Sequence, residues 1–476
     1  MRAFTRLPLV TLAIETSCDD TCVAVLEKEV ASSSSLSTAS RPRARLLFEE
    51  RITADNRAFG GIHPLTSTES HTAALAPLVQ RATASLPPAF AKPDFVSVTR
   101  GPGMASSLAT GLAVAKGLAV AWQVPLLGVH HMQAHALTPR LVEAMAASEA
   151  KEGEDGTHLP QVDFPYLSFL VSGGHTMLVY SRTLTDHRVL ATTANIAIGD
   201  LLDKCARAIL PRGYIAAAEA KAGRSLPYGA LLEAFAFESS GSSGGSDYKR
   251  DYGYPALRRD EMAPFVGPGW QLEAPLAKNA LRKALRFDFS GLNGSVIKLA
   301  GGDPPSGEEA GGAVRGIDIR GMMDMLEDER RLLARGTMQQ AFEHLASRLL
   351  LALKANEEAA AGQSKRRKES KENKENKEID GKPTCLVVSG GVASNQFLRH
   401  VLRSALNVRG YGDLPVVAPP PSLCTDNAAM IAWAGMEMYE AGWQTDLSIR
   451  PIRKWSMDAD ADDGGILGPD GWLKKE

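Results

Sequence analysis

The feature that most limits how this chain can fold is a repeated local pattern: a short apolar run, then a glycine-rich or polar turn, then a strand or an amphipathic helix. The clearest copies are the turns Thr99–Gly103 (TRGPG), Ser172–Thr176 (SGGHT) and Ser389–Asn395 (SGGVASN). They follow Phe95–Thr99, Tyr166–Val171 and Cys385–Val388, whose length and composition read as buried strands. Because the pattern recurs in both halves, the chain reads as two α/β lobes with a cleft between them, where ligands commonly bind. Missing side chains let backbone N–H groups approach phosphate or carboxylate oxygens, and a helix that starts after such a turn adds its positive end. A lone copy is equally well a plain tight turn. Three copies point to a nucleotide-type ligand, yet none matches GxxxxGKS/T or GxGxxG, so neither a P-loop nor a Rossmann site is supported.

Other elements fill in around these turns. Leu12–Ile14 and Cys22–Leu26 read as strands around the polar turn ETSCDDT, Thr176–Tyr180 closes a hairpin, and Ala73–Ala84, Ala105–Trp122 and Gly336–Leu353 read as helices. The 476 residues amount to roughly three domain lengths. Much of the excess is polar. The run SKRRKESKENKENKE at 364–378 has nothing apolar to bury and is expected to be solvated, as are Ser239–Ser246 (SSGSSGGS), Gly301–Gly312 and the acidic stretch Glu149–Asp155. The basic run contributes +3 to a formal net charge of -2, which leaves -5 on the remainder. Bulk charge therefore excludes a strongly basic nucleic-acid binder, and any such binding must use a local patch.

Five cysteines, at 18, 22, 205, 385 and 424, with no CxxC pair, exclude a disulfide scaffold and read as small core residues. The apolar stretch Gly111–Val129 is interrupted by Lys116, Gln123 and Pro125 and is not expected to span a membrane. The start carries Arg2 and Arg6 with no acid before Glu15, a short version of an organellar transit peptide.

Two further segments carry chemistry. In HHMQAH, His130–His135, the histidines at 131 and 135 are four apart, so on a helix their imidazoles share one face and can chelate a metal; a surface helix with two histidines is the plain alternative. Met132 stands where a zincin protease needs glutamate. In CTDNAAM, Asp426 precedes an apolar helix, where a carboxylate is by default an N-cap and otherwise a ligand. Spacing alone does not join it to the histidines. A helix over Lys278, Arg282, Lys283 and Arg286 would carry a basic stripe suited to RNA phosphates, or simply a solvated face.

Taken together, ETSCDDT, GPG, HHMQAH, LVSGGHT, IGDLLDK, FSGL, GGVASN and CTDNAAMIAWAG occur in the order seen in the tRNA N6-adenosine threonylcarbamoyltransferases, and the chain from Leu12 to Met436 resembles that family. At His175 it resembles the bacterial TsaD and mitochondrial branch, because the archaeal and eukaryotic cytosolic branch usually carries asparagine there. The resemblance implies an actin-like, hexokinase-like ATPase fold of two lobes around a nucleotide cleft. It implies transfer of a threonylcarbamoyl group from threonylcarbamoyl-AMP, supplied by a separate synthase, to N6 of the adenosine 3′ of the anticodon in tRNAs reading codons that begin with A.

It further implies one divalent metal per subunit, iron or zinc, on His131, His135 and Asp426. Leu170, Val171, Ser172, Gly173 and Gly174 would line the adenylate pocket, with His175 beside them as a candidate base. Asp203 would bind the ribose side, Gly229 would be the next ligand contact, and Asn395 would reach the nucleotide from the other lobe. Asn293 stands where the family usually has lysine, and the stretch between Asp203 and Gly229 is longer than usual. The expected organisation is a targeting segment at 1–11, an N-terminal lobe at 12–135, a C-terminal lobe at 136–436 with inserts near 148–162, 239–253, 301–316 and 361–382, and a tail at 437–476. A homodimer is allowed, mitochondrial location is expected with the cytoplasm as alternative, and no membrane partner is expected. The competing readings are an ATP-dependent kinase or chaperone of the same fold using Glu15, Asp19 and Asp20, a metallohydrolase or peptidase, and a non-catalytic RNA-binding scaffold.

Overall fold

The computed structural model describes residues 8–30, 41–56, 59, 62–149, 161–222, 226–237, 248, 252–254, 262–277, 280–301, 325–360 and 381–475. The basic run at 364–378, the serine-glycine run at 239–246, most of 301–312, Lys278 and the first seven residues lie outside them. The chain forms two compact units. The first comprises Met1–Tyr166, Ser181–Arg188 and Pro419–Glu476, and the second Leu167–Tyr180 and Val189–Ala418. This differs from the expected boundaries. Helix His131–Glu149 runs straight through residue 135, and the chain returns to the first unit from Pro419, so the expected tail is part of that unit.

The first unit is built on seven strands: β1 (Leu9–Glu15), β2 (Asp20–Lys28), β3 (Ala44–Thr53), β4 (Phe95–Gly101), β5 (Leu126–His130), β13 (Trp443–Thr445) and β14 (Trp472–Lys474). Their order is β14-β13-β5-β4-β1-β2-β3, with β1 antiparallel to β2 and parallel to β4. Side chains alternate across each strand, so β1 and β2 feed two cores. Ala13, Cys22, Ala24 and Leu26 pack with Trp433 and Ala134 from helices Ala428–Glu440 and His131–Glu149. On the opposite face Leu12, Ile14, Val23 and Val25 pack with Leu75, Leu78, Leu112 and Ala115 from helices Pro64–Ala84 and Ala105–Trp122. Each fully buried Leu or Ile side chain contributes about 1.5–3 kcal/mol, and both sheet faces are covered as mixed sheets with crossover helices require. Helix Ala105–Trp122 is long and apolar enough to cross a bilayer by length and composition, and its Leu108, Leu112, Ala115 and Ala119 are buried in this unit.

The second unit holds, apart from the boundary residues Tyr166, Ser181, His187 and Arg188, the strands β6 (Tyr166–Val171), β7 (Thr176–Ser181), β8 (His187–Thr192), β11 (Leu386–Ser389) and β12 (Val416–Val417), in the order β12-β11-β6-β7-β8, beside the small hairpin β9 (Phe265–Gly267) and β10 (Trp270–Leu272). Strand β11 is parallel to both β6 and β12. Read from the other end, β8-β7-β6-β11-β12 has the same winding as β3-β2-β1-β4-β5. Two α/β units with one repeated strand order answer the actin-like, hexokinase-like class expected from the sequence. The recurring strand-and-turn pattern is the local trace of that repeat.

Candidate functional site

The metal-ligand candidates converge within the first unit. His131 is the first residue of its helix and His135 lies one turn on, so both rings share a face; their centroids are 4.8 Å apart and nearly perpendicular. Asp426 arrives from a turn 291 residues further along. Its Oδ1 lies 3.0 Å from His135 Nε2 and 3.5 Å from His131 Nε2. The default reading of Asp426 as an N-cap is corrected here: the cap of helix Ala428–Glu440 is Asn427, whose Oδ1 accepts the Met430 N–H at 2.8 Å. With the cap filled by its neighbour, the Asp426 carboxylate is left to face the histidines.

The donor set fits a divalent cation. One ligand atom from each of His131, His135 and Asp426 lies within 4.8 Å of the others. Two imidazole Nε2 atoms aimed at the same carboxylate oxygen would need two N–H donors sharing one acceptor, and a cation in place of those protons satisfies all three. Two nitrogens and one oxygen suit iron or zinc rather than magnesium or calcium. A further shell orients His131: its Nδ1 lies 3.2 Å from Glu15 Oε2 and 3.2 Å from Ser17 Oγ. Glu15 is fully buried and also accepts from Ser17 N–H and Thr99 Oγ1. Such partners fix the ring and its tautomer.

These contacts set the proton chemistry. Burial pulls the His131 pKa down, but the charges of Asp426 and Glu15 and the Glu15 hydrogen bond outweigh it and hold it up at about 9. Burial raises the Glu15 carboxyl, and the charge and hydrogen bond of His131 bring it below its ordinary value. The metal-free site therefore keeps a proton on His131 at neutral pH, which a metal must displace. We expect metal uptake at pH 7.5 to release about one proton, with affinity rising as pH increases towards 9 and levelling above it. Calorimetry in buffers of different ionisation enthalpy measures this. An affinity that is flat between pH 7 and 9 would contradict it.

The remaining acids of ETSCDDT are engaged elsewhere. Asp20 accepts from Thr53 Oγ1 and lies 3.9 Å from Arg51, and Asp19 accepts from Asn56 at 3.3 Å. Glu15, Asp19 and Asp20 therefore do not form the free acidic set that the kinase-like reading needs.

A second cluster lies in the second unit. At the end of β6 the turn is closed by Ser172 N–H donating to His175 O at 2.8 Å and by His175 N–H donating to Ser172 Oγ at 3.0 Å. Helix Ile198–Ile209 begins against it: Gly199 N–H donates to Ser172 O at 3.1 Å and Ile198 N–H to Thr176 Oγ1 at 2.8 Å. Gly173 and Gly174 are exposed, and a Cβ on either would meet nothing within 4 Å. Asp203, on the same helix, accepts the Gly229 N–H, so those two candidates are in contact; burial raises the Asp203 carboxyl against the opposing pull of Arg207 and that hydrogen bond.

Asn395 requires a correction. The resemblance has it reach the nucleotide from the other lobe, but it belongs to the same unit as Leu170–Gly174 and Asp203, because β11 pairs in parallel with β6. Its Oδ1 caps helix Gln396–Val408 by accepting the Leu398 N–H at 2.9 Å. Glu233, which carries no sequence signal, accepts the Phe397 N–H at 2.9 Å at the same helix end. Asn293 is buried in helix Ser290–Leu299 with its Oδ1 3.8 Å from Cys205 Sγ, so it packs inside the unit. The basic stripe is also corrected. Ala280–Lys283 is only a single 3₁₀ turn, and Arg286 lies beyond it, 3.8 Å from Asp288, so Arg282, Lys283 and Arg286 do not line one helix face; Lys278 is outside the described residues.

Comparison with known proteins gives one consistent answer. The family model described as tRNA N6-adenosine threonylcarbamoyltransferase (TsaD) matches residues 46–244 and 251–433. The mitochondrial tRNA N6-adenosine threonylcarbamoyltransferase of Schizosaccharomyces pombe is 33% identical, over 98% of this chain and 90% of its own. The corresponding protein of Novosphingobium aromaticivorans is 30% identical, over 94% and 96%. Among solved structures, YeaZ from Pseudomonas aeruginosa is 17% identical over 38% of this chain and 64% of its own, with a TM-score of 0.22, a likeness too slight to carry an argument.

Proposed function

Because this chain belongs to the tRNA N6-adenosine threonylcarbamoyltransferase family, it is a tRNA-modifying acyltransferase, and we propose that His131, His135 and Asp426 hold its divalent metal while Leu170–Gly174, Asp203 and Gly229 hold the acyl donor. The observation that carries the metal assignment is the convergence of three ligand atoms within 4.8 Å from residues 291 apart in the chain. The proposed donor is threonylcarbamoyl-AMP, and the proposed acceptor is N6 of the adenosine 3′ of the anticodon in tRNAs reading codons that begin with A.

The donor is a mixed anhydride and already activated, so the protein has mainly to position it. The adenine amine is a weak nucleophile because its lone pair is delocalised into the ring. Fixing it about 3 Å from the carbamoyl carbon supplies orientational entropy in advance. The exposed Gly173 and Gly174 let their backbone N–H groups approach the phosphate of the departing AMP as charge develops there. Asp203, held by Gly229, is the proposed ribose contact. His175, whose backbone is locked to Ser172, is the proposed acceptor of the amine proton. When bound, a divalent ion on three protein ligands supplies Lewis-acid polarisation and an open coordination position. Iron or zinc is proposed from the donor set.

A mitochondrial location is proposed on the name of the fission-yeast relative. A separate synthase is the proposed source of the donor, because an anhydride of AMP has to be made by an ATP-consuming step. A homodimer is proposed on the exposed Leu65 and Val120 of the two helices that cover one sheet face of the first unit.

The decisive experiment incubates the metal-loaded protein with threonylcarbamoyl-AMP and unmodified tRNA and measures modified adenosine by mass spectrometry. Product is expected from the parent protein and not from Asp426→Ala. No product from the parent, where an active homologue gives product, overturns the reading.

A further inference from the structure

The helix that presents the metal ligands begins without a loop. Strand β5 ends at His130 and the helix starts at His131, so no Ser, Thr, Asp or Asn stands at its head to cap the first N–H groups. The imidazole of His130 does this instead. Its Nδ1 accepts the Met132 N–H at 3.2 Å and lies 3.3 Å from the Gln133 N–H donor. A ring nitrogen that accepts carries no proton, so the proton of a neutral imidazole sits on the other nitrogen. That nitrogen, Nε2, is 3.1 Å from the Trp455 carbonyl oxygen and donates to it.

The partner is itself fixed. Trp455 is buried, its indole Nε1 donates to Gly465 O at 2.9 Å, and its ring lies 4.5 Å from the His130 ring. The Arg100 guanidinium covers the indole at 5.6 Å and is anchored on the carbonyls of Arg450 and Asp470 at 3.2 and 2.8 Å. Backbone hydrogen bonds from Ile452 N–H to Arg100 O and from Gly103 N–H to Arg453 O fasten the same segment to the end of β4.

We infer that His130 is a positioning residue for the metal centre: as a neutral imidazole protonated on Nε2 and held in place by the C-terminal segment Arg450–Gly471, it caps the first turn of the helix that presents His131 and His135. The geometry makes His131 the ligand most exposed to any loosening. It is the first helical residue, its Nε2 must meet a carboxylate carried by a different element, and a helix frays from whichever end has lost its cap. Loss of a partner on a ligand ring typically weakens metal affinity by about 10–100-fold, and His130, which acts through the helix backbone, is expected at the lower end of that range. The inference rests on His131, His135 and Asp426 being the metal site.

The test measures the Zn²⁺ dissociation constant of the intact protein by competition with a chromophoric chelator. In His130→Ala, Zn²⁺ binding is expected to weaken by at least about tenfold at unchanged stoichiometry, with the KM for tRNA unmoved. In His130→Asn the side-chain oxygen can accept the same N–H groups, and the constant is expected to return to within about threefold of the parent. Parent-like Zn²⁺ binding by the alanine variant, or an asparagine variant as weak as alanine, overturns the inference. Nitrogen NMR of the unaltered protein, labelled in histidine, provides a measurement that needs no variant to fold: His130 should show a protonated Nε2 and a bare Nδ1, and the opposite tautomer overturns the inference. A parent protein that binds no Zn²⁺ would instead reject the metal site itself, so the two failures are distinguishable.

Discussion

Replacing His131 with alanine should abolish metal binding, reduce transfer by at least about 100-fold, and destabilise the fold by about 3 kcal/mol, whereas Asp426→Ala should match it in activity and metal loss at a smaller cost in stability of about 1 kcal/mol. The difference lies in what each substitution leaves behind. Among the described residues, His131 is the one basic group in contact with Glu15, whose side chain is only 1% exposed. Removing it leaves a buried carboxylate held, among the described residues, by Ser17 N–H and Thr99 Oγ1, and it must then take up a proton. The typical penalty for orphaning a buried charge is about 3–5 kcal/mol, and those two surviving hydrogen bonds place this case at the lower end. Asp426 is partly solvated, and without it His131 still has Glu15, so no buried charge is orphaned and the loss is the His135 Nε2 partner, about 1 kcal/mol. Adding Glu15→Gln to His131→Ala should recover most of the lost stability while leaving the protein metal-free and inactive, a coupling that a double-mutant cycle reads directly. Urea unfolding, metal content and modified adenosine are the three measurements. Equal stability of the His131 and Asp426 variants would show that Glu15 does not depend on His131.

The sequence reveals this site only in part, and the reason is physical. His131 and His135 are visible because helical geometry links positions four apart, whereas joining them to Asp426 requires the first unit to close around β1 and β2. Asp426 and Asn427 are adjacent and both good caps, so no local rule chooses between them. The choice is made by helix Ala428–Glu440, which is buried on nearly every side and so fixes the turn before it. The placement of Asn395 escapes local reading for a related reason: β11 joins β6 across more than two hundred residues, a pairing with no local signature. Helix Pro64–Ala84 is legible only from Ala73, since its first turns, LTSTESHT, lack an apolar stripe and are started instead by Pro64 behind a His63 cap. The capping role of His130 has no sequence signal either, because histidine is not a preferred cap and here depends on Trp455, far along the chain. What is legible is the repeated turn. Its three glycine-rich copies mark strand ends in two units that share one strand order.

Those glycines separate packing from ligand contact. Gly390, at φ +93°, has a built Cβ position only 2.4 Å from Val171 O, so Gly390→Ala must push the end of β11 away from β6 and strain the backbone as well. About 2–4 kcal/mol of lost stability is expected, with loss of transfer following from the displaced Leu170–Gly174 turn. Gly173 and Gly174 have free space around the missing Cβ and no φ in the left-handed region, so alanine there should leave stability within about 0.5 kcal/mol of the parent. If their backbone N–H groups hold the donor phosphate, the added methyl group lies where that phosphate must approach, and the KM for threonylcarbamoyl-AMP should rise by at least about tenfold with tRNA affinity unchanged. Thermal unfolding and donor titration of the three variants distinguish the cases. A Gly173→Ala, Gly174→Ala double variant that folds and turns over like the parent would remove this turn from the donor site, and Gly390→Ala would then report only on the packing of β6 against β11.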